Sequence, residues 1–193
     1  NLAAAVTRLQ GITLRGGEAQ TLPALRIADA DAALELAGCD FLDFTAAPSG
    51  SIGGSALRAT LLGALTATDC RFNGNHTTFR GGALHLGPAL NAEFTGCQWV
   101  GNSALGGTGP QGGAIMVVAS AALSTLVFRE CEFRDNQSGS VGGTLSSLSA
   151  SFLFEDCVIT GSRSHLDPAI DWGEGAGLHM RRDASDHTDP VTS

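Results

Sequence analysis

The chain has 193 residues, 43% of them hydrophobic, and carries 19 acidic residues against 11 arginines with no lysine, for a net charge of -8. That length suits one domain with a sizeable core, and the acidic balance excludes the broad basic face that nucleic acid requires. No apolar run reaches the roughly 18 residues of a membrane-spanning helix, and no charged segment followed by an apolar stretch opens the chain, so neither a membrane span nor a secretory leader is expected within it.

From the N-terminus, "NLAAAVTRLQ" reads as the middle of a longer polypeptide and ends an apolar alternation at Leu9. "GITLRGG" follows, with Ile12 and Leu14 two residues apart, then Leu25 and Ile27, then Leu36. The same succession begins again at Cys39, with Cys39/Phe41, Leu57/Ala59 and Ala67. It returns at Cys70, with Cys70/Phe72, Leu84/Leu86 and Phe94, and at Cys97, with Cys97/Trp99, Ile115/Val117 and Phe128. Cys131/Phe133, Leu145/Ser147 and Phe154 form the next copy, and Cys157/Ile159 opens the last.

The six anchors are separated by 27, 31, 27, 34 and 26 residues, a period that marks a repeat architecture. Within each copy the apolar residues alternate with a period of two, the strand period. Three short strands joined by corners make one coil of a parallel β-helix, each strand pairing with its equivalent about 4.8 Å along the axis. The expected fold is therefore all-β: a right-handed, single-stranded parallel β-helix of about six coils, pectin-lyase-like, on the order of 30 Å long. It is expected to occupy residues 1–180, with the polar segment 181–193 as a tail or linker.

Five residues after the anchor stand Asn75, Asn102 and Asn136 in three consecutive copies. Asparagine tolerates a left-handed corner and its amide can bond the amide above and below, so an asparagine ladder is expected. Paired glycines at Gly53-Gly54, Gly81-Gly82, Gly112-Gly113 and Gly142-Gly143 precede the second strand, where positive φ or crowding excludes a Cβ. Cys39, Cys70, Cys97, Cys131 and Cys157 share one inward position and read as a core stack of free thiols. Disulfides or a metal site are the alternatives, but the count is odd and parallel side-chain directions suit the disulfide torsion poorly.

"FNGN" (72–75) with "GGAL" (81–84), "WVGN" (99–102) with "GGAI" (112–115) and "FRDN" (133–136) with "GGTL" (142–145) resemble the repeats of polymorphic outer membrane proteins. The resemblance covers residues 70–145 best, while "FLDF", "GGSAL" and "ITGS" depart from it. It implies a right-handed β-helix in a bacterial cell-surface or secreted setting, and an adhesive role. The strands of a membrane barrel have no counterpart here.

Function is expected where the repeat is interrupted. "SALGGTGPQ" (103–111) lengthens one corner, and "RSHLDPAIDWGE" (163–174) forms a long excursion if "GAGLHM" supplies the last second strand through Leu178 rather than "DPAIDW" through Ile170. The excursion gathers His165, Asp167, Asp171, Trp172 and Glu174. These suit a sugar-stacking tryptophan with carboxylates, an oxygen-ligand calcium site or a partner loop, and equally an ordinary solvated acidic loop.

Scattered arginines such as Arg71, Arg80, Arg129 and Arg134 form no patch by spacing but line up across coils. The outward positions Asp40, Arg71, Gln98, Glu132 and Val158 make no acidic cluster, and His85 and His179 point outward without an acid at a telling offset. The expectation is a noncatalytic structural or adhesive solenoid with no catalytic residue, cofactor or metal. Protein partners or further copies would meet it at its ends and corner loops, and a surface glycan is a further candidate. The rivals are a polysaccharide-binding or polysaccharide-cleaving domain and an accessory subunit docking through corner loops.

Overall fold

A computed structural model describes residues 5–17, 22–46, 53–88, 90–106, 111–118, 124–148, 150–164 and 177–180. Among them no helix occurs, all strand pairs are parallel, and the chain winds as a β-solenoid of about five turns. Six stacked first strands bracket those turns: Thr13–Arg15, Asp40–Leu42, Arg71–Asn73, Gln98–Val100, Glu132–Arg134 and Val158–Thr160. In this anchor sheet Leu14, Phe41, Phe72, Trp99, Phe133 and Ile159 are successive register partners.

The second and third strands of each coil belong to a single ten-stranded sheet, where the alternation alone suggested separate ones. In two coils they fuse into single runs, Leu25–Ala37 and Leu57–Thr68, which contain no proline and in the second of which Gly63 stays within the strand. Later coils break the run, as between Leu84–Leu86 and Asn91–Thr95, where Gly87 and Pro88 turn the chain. Register follows the apolar spacing: Leu25, Leu57, Leu84, Ile115, Leu145 and Leu178 are neighbours, so "GAGLHM" and not "DPAIDW" supplies the last strand.

A third sheet was not legible as strand. It consists of two-residue pieces directly after the asparagine position: Thr45–Ala46, His76–Thr77, Ser103–Ala104, Gln137–Ser138 and Arg163–Ser164. Consequently Ser103–Ala104 and Arg163–Ser164, assigned above to protruding loops, stay in register with the coils. In the longer corner the Leu105 N–H still bonds the Thr77 carbonyl of the coil before it, and Gln111 bridges Arg80 and Val141.

The interior is dry and stacked. Phe41, Phe72, Trp99 and Phe133 form one column with centroid spacings of 5.1, 5.4 and 4.7 Å, and Phe94, Phe128 and Phe154 a second with spacings of 5.0 Å. The columns meet edge to face, Phe94 on Trp99 at 75°. Each such ring, fully removed from water, contributes on the order of 2–3 kcal/mol.

Two further corrections concern the corners. The left-handed residue is the one before the asparagine, at Asp43, Gly74, Gly101, Asp135 and Gly161, so the asparagine itself needs no such conformation. The glycine pair is Gly54-Ser55 in the second coil, because Gly54 aligns with Gly81 three residues before the strand. The first corner glycine has positive φ, +61° at Gly81. The second is excluded from bearing a side chain by crowding, since a Cβ on Gly82 would lie 2.1 Å from the Gly113 carbonyl oxygen.

Candidate functional site

His165, Asp167, Asp171, Trp172 and Glu174 lie outside the described residues, as does the tail 181–193. The ladder residues are completely buried. Asn75 Nδ2 donates to Asn102 Oδ1 at 3.1 Å and Asn102 Nδ2 to Asn136 Oδ1 at 3.0 Å. Each amide also closes the corner by donating to a first-strand carbonyl, of Phe41, Phe72 and Trp99 in turn.

The five cysteines are all free thiols. Each donates weakly to the carbonyl two residues before it, Cys70 to Thr68 at 3.2 Å and Cys131 to Arg129 at 3.2 Å. The Cys97 thiol is pushed up from its usual value by hydrogen bonding with Cys131 and Cys70 and by desolvation. Cys157, in the last stacked coil, is only half-buried, and desolvation raises it too. Among the described residues no group of three or more His, Cys, Asp or Glu side chains is placed to hold a metal ion.

Charge on the outer surface is mostly paired between coils. Arg71 grips Asp40 with Nε to Oδ1 at 2.7 Å and Nη2 to Oδ2 at 2.5 Å, a bidentate contact that lowers the Asp40 pKa. Arg8 meets Glu35, Arg15 meets Asp43, Arg129 meets Glu155 and Arg134 meets Glu132.

Among the described residues Arg163 and three arginines on one face, Arg26, Arg58 and Arg80, stand apart from this pattern. Arg26, Arg58 and His85 are register partners at the outward position of the second strand. Arg80 ends the preceding corner, pairs with Gln111 on the next coil, and lays its guanidinium carbon 4.7 Å from the centroid of Phe79. No carboxylate pairs with Arg26, Arg58 or Arg80 among the described residues.

His85 is outward by register yet only 9% exposed. Its pKa falls to about 4, first through burial and then through the positive charges of Arg58 and Arg80. Gly53 makes the close approach feasible: a Cβ there would lie 1.9 Å from the Arg80 carbonyl oxygen and 2.6 Å from His85 Nδ1. Four buried polar atoms in this cluster have no hydrogen-bond partner: Arg58 Nε, Arg80 Nε, His85 Nδ1 and Gln111 Oε1.

Arg58 and Gln111 were missed in the sequence, and Arg80 was read only as scattered. The signal was the repeat frame, which puts Arg58 at the position of His85 and Arg80 at that of Gln111. Chemically the cluster offers fixed positive charge, N–H donors and one amide acceptor. Comparison with protein-family models, with curated proteins and with solved structures finds no match to this chain.

Proposed function

We propose that the chain is a noncatalytic structural or adhesive segment of a bacterial cell-surface or secreted protein, wound right-handed like the polymorphic outer membrane protein repeats, and joined to neighbours through its ends. The observation carrying this reading is the contrast between inner and terminal coils. Met180 is 56% exposed, whereas Val117 and Ser147 in the same inward row are 0% and 1% exposed. At the other end Ile12 is 38% exposed above Cys39 at 1%. Among the described residues, no strand pairs with the outer edge of Val6–Gln10 or of Ala150–Glu155. Solenoids require such faces to be covered, and open strand edges invite pairing. The surface setting is supported by the FxxN and GGA[IL] resemblance alone.

Sedimentation of the chain over a wide concentration range tests the reading. Concentration-dependent association is expected, abolished by Met180→Lys or Ile12→Lys. A strictly monomeric species at every concentration would argue against end-to-end joining.

A further inference from the structure

We propose that Arg58, Arg80, His85 and Gln111 form a binding site for a small oxyanion that also carries a hydroxyl, the chemistry shared by hydrogen phosphate and 2-hydroxycarboxylates. This is independent of the end-to-end reading, because the cluster lies on the side of the rod.

Buried polar groups are nearly always hydrogen-bonded, and a cluster of exceptions asks for a missing partner. Here the orphans are Arg58 Nε, Arg80 Nε, His85 Nδ1 and Gln111 Oε1, on three successive coils: Arg58 beside His85, and Arg80 of the His85 coil beside Gln111. Two are guanidinium donors that want an acceptor, and Gln111 Oε1 is an acceptor that wants a donor. A bare anion answers only the arginines. An oxyanion with an O–H answers the amide as well.

Charge points the same way. Among the described residues of a chain of net charge -8, five arginines pair with carboxylates; Arg26 and Arg163 do not, and neither do Arg58 and Arg80, which alone press on a buried neutral histidine. Two like charges beside a buried imidazole are unfavourable without a counter-charge. The site is held rather than improvised: Gly53 permits the contact with His85, and Gly54 N–H donates to the Arg80 carbonyl at 3.0 Å, fixing the backbone that carries the guanidinium. Arg58, Arg80 and Gln111 remain partly exposed, leaving the anion a way in.

The test is an NMR titration of the His85 ring signals, assigned by their loss in His85→Gln, with inorganic phosphate, sulfate, glycolate, acetate and glucose as probes. Saturable shifts are expected with phosphate and glycolate at roughly millimolar concentrations, accompanied by a rise in the His85 pKa as the anion offsets Arg58 and Arg80. Sulfate and acetate, which lack the donor, should bind at least several-fold more weakly, and glucose not at all. Arg58→Gln with Arg80→Gln should weaken phosphate binding tenfold or more, and Arg134→Gln on another face should not.

Gln111→Leu should erase the preference for phosphate over sulfate. An equal response to phosphate and sulfate in the unmodified chain would overturn the hydroxyl part of the proposal. No saturable shift with any anion would overturn it entirely. Both results come from the unmodified chain, so they stand even if the arginine variants fold poorly.

Discussion

Asn102 meets Asn136 through both backbone and side chain: its N–H and its Nδ2 each donate to Asn136 Oδ1, both at 3.0 Å. One oxygen thus serves two donors of the coil before it, and Asn102 Oδ1 does the same for Asn75. Replacing Asn102 by Ala leaves the Asn75 N–H buried without its acceptor and takes the side-chain donor from the Phe72 carbonyl, which keeps its strand pairing with the next coil. One orphaned buried donor together with the lost side-chain bond costs about 2 kcal/mol. Urea unfolding should show a loss of that size, and a change under 1 kcal/mol would mean water takes over the ladder.

Ser147 predicts the opposite sign. It occupies the inward row of Ala59, Leu86 and Val117, is 1% exposed, and its hydroxyl has no partner. Ser147→Val removes the orphan and extends an aliphatic column, so a gain of about 1 kcal/mol is expected. Thermal unfolding measures it.

The thiols should separate by rate. Cys39, Cys70, Cys97 and Cys131 are at most 2% exposed, and Cys157 is intermediate. A thiol reagent is expected to modify Cys157 first and the other four only as the chain unfolds. Mass spectrometry after brief labelling should find a single adduct at Cys157, and uniform labelling of all five would contradict the stacked interior.

Stability should fall on mild acidification. His85 has a folded pKa of about 4 against an ordinary value of 6.5, so between those limits the unfolded chain binds the extra proton. Stability from this group is fully present above about pH 6.5 and lost progressively towards pH 4, by roughly 3 kcal/mol in total. Asp40, held low by Arg71, adds a second loss below about pH 4. Urea midpoints across pH 4 to 7 should therefore decline, and His85→Gln should flatten the upper part of that decline.

Much of this architecture was legible because interior rows repeat one residue type. Cys39 to Cys157 and Phe41 to Phe133 announce their own register, and even Ile12 and Leu178 fall into place by offset alone. The third sheet was not legible because a two-residue strand such as His76–Thr77 is too short to show alternation. Gly53-Gly54 misled because Gly53 is glycine for a different reason, the nearness of Arg80 and His85. The cationic cluster was harder to see: Arg58 and His85 share the 27-residue repeat spacing, but Arg80 stands at another position of the coil, and only winding brings it beside them.

The corner between Ala104 and Gln111 is longer than its neighbours although both residues stay in register, and this bears on how such a rod diversifies. On one side of it the ladder and the two-residue strands tolerate no added residue, and on the other the glycines sit against the backbone of the next coil. On this side of the rod new sequence therefore enters at one address per turn, and these addresses fall on a single line parallel to the axis; the turn between second and third strands is another, since Thr125 follows Val117 by eight residues where Asn91 follows Leu86 by five. Ala104 and Ser164, the last paired residues before the two lengthened corners, lie two coils apart on that line, roughly 10 Å at the spacing of stacked strands. Large inserts on adjacent coils would collide, so variable segments are best tolerated on alternate coils. The solenoid behaves as a ruler whose markings are set by strand spacing, with its displayed sequences ordered along one edge.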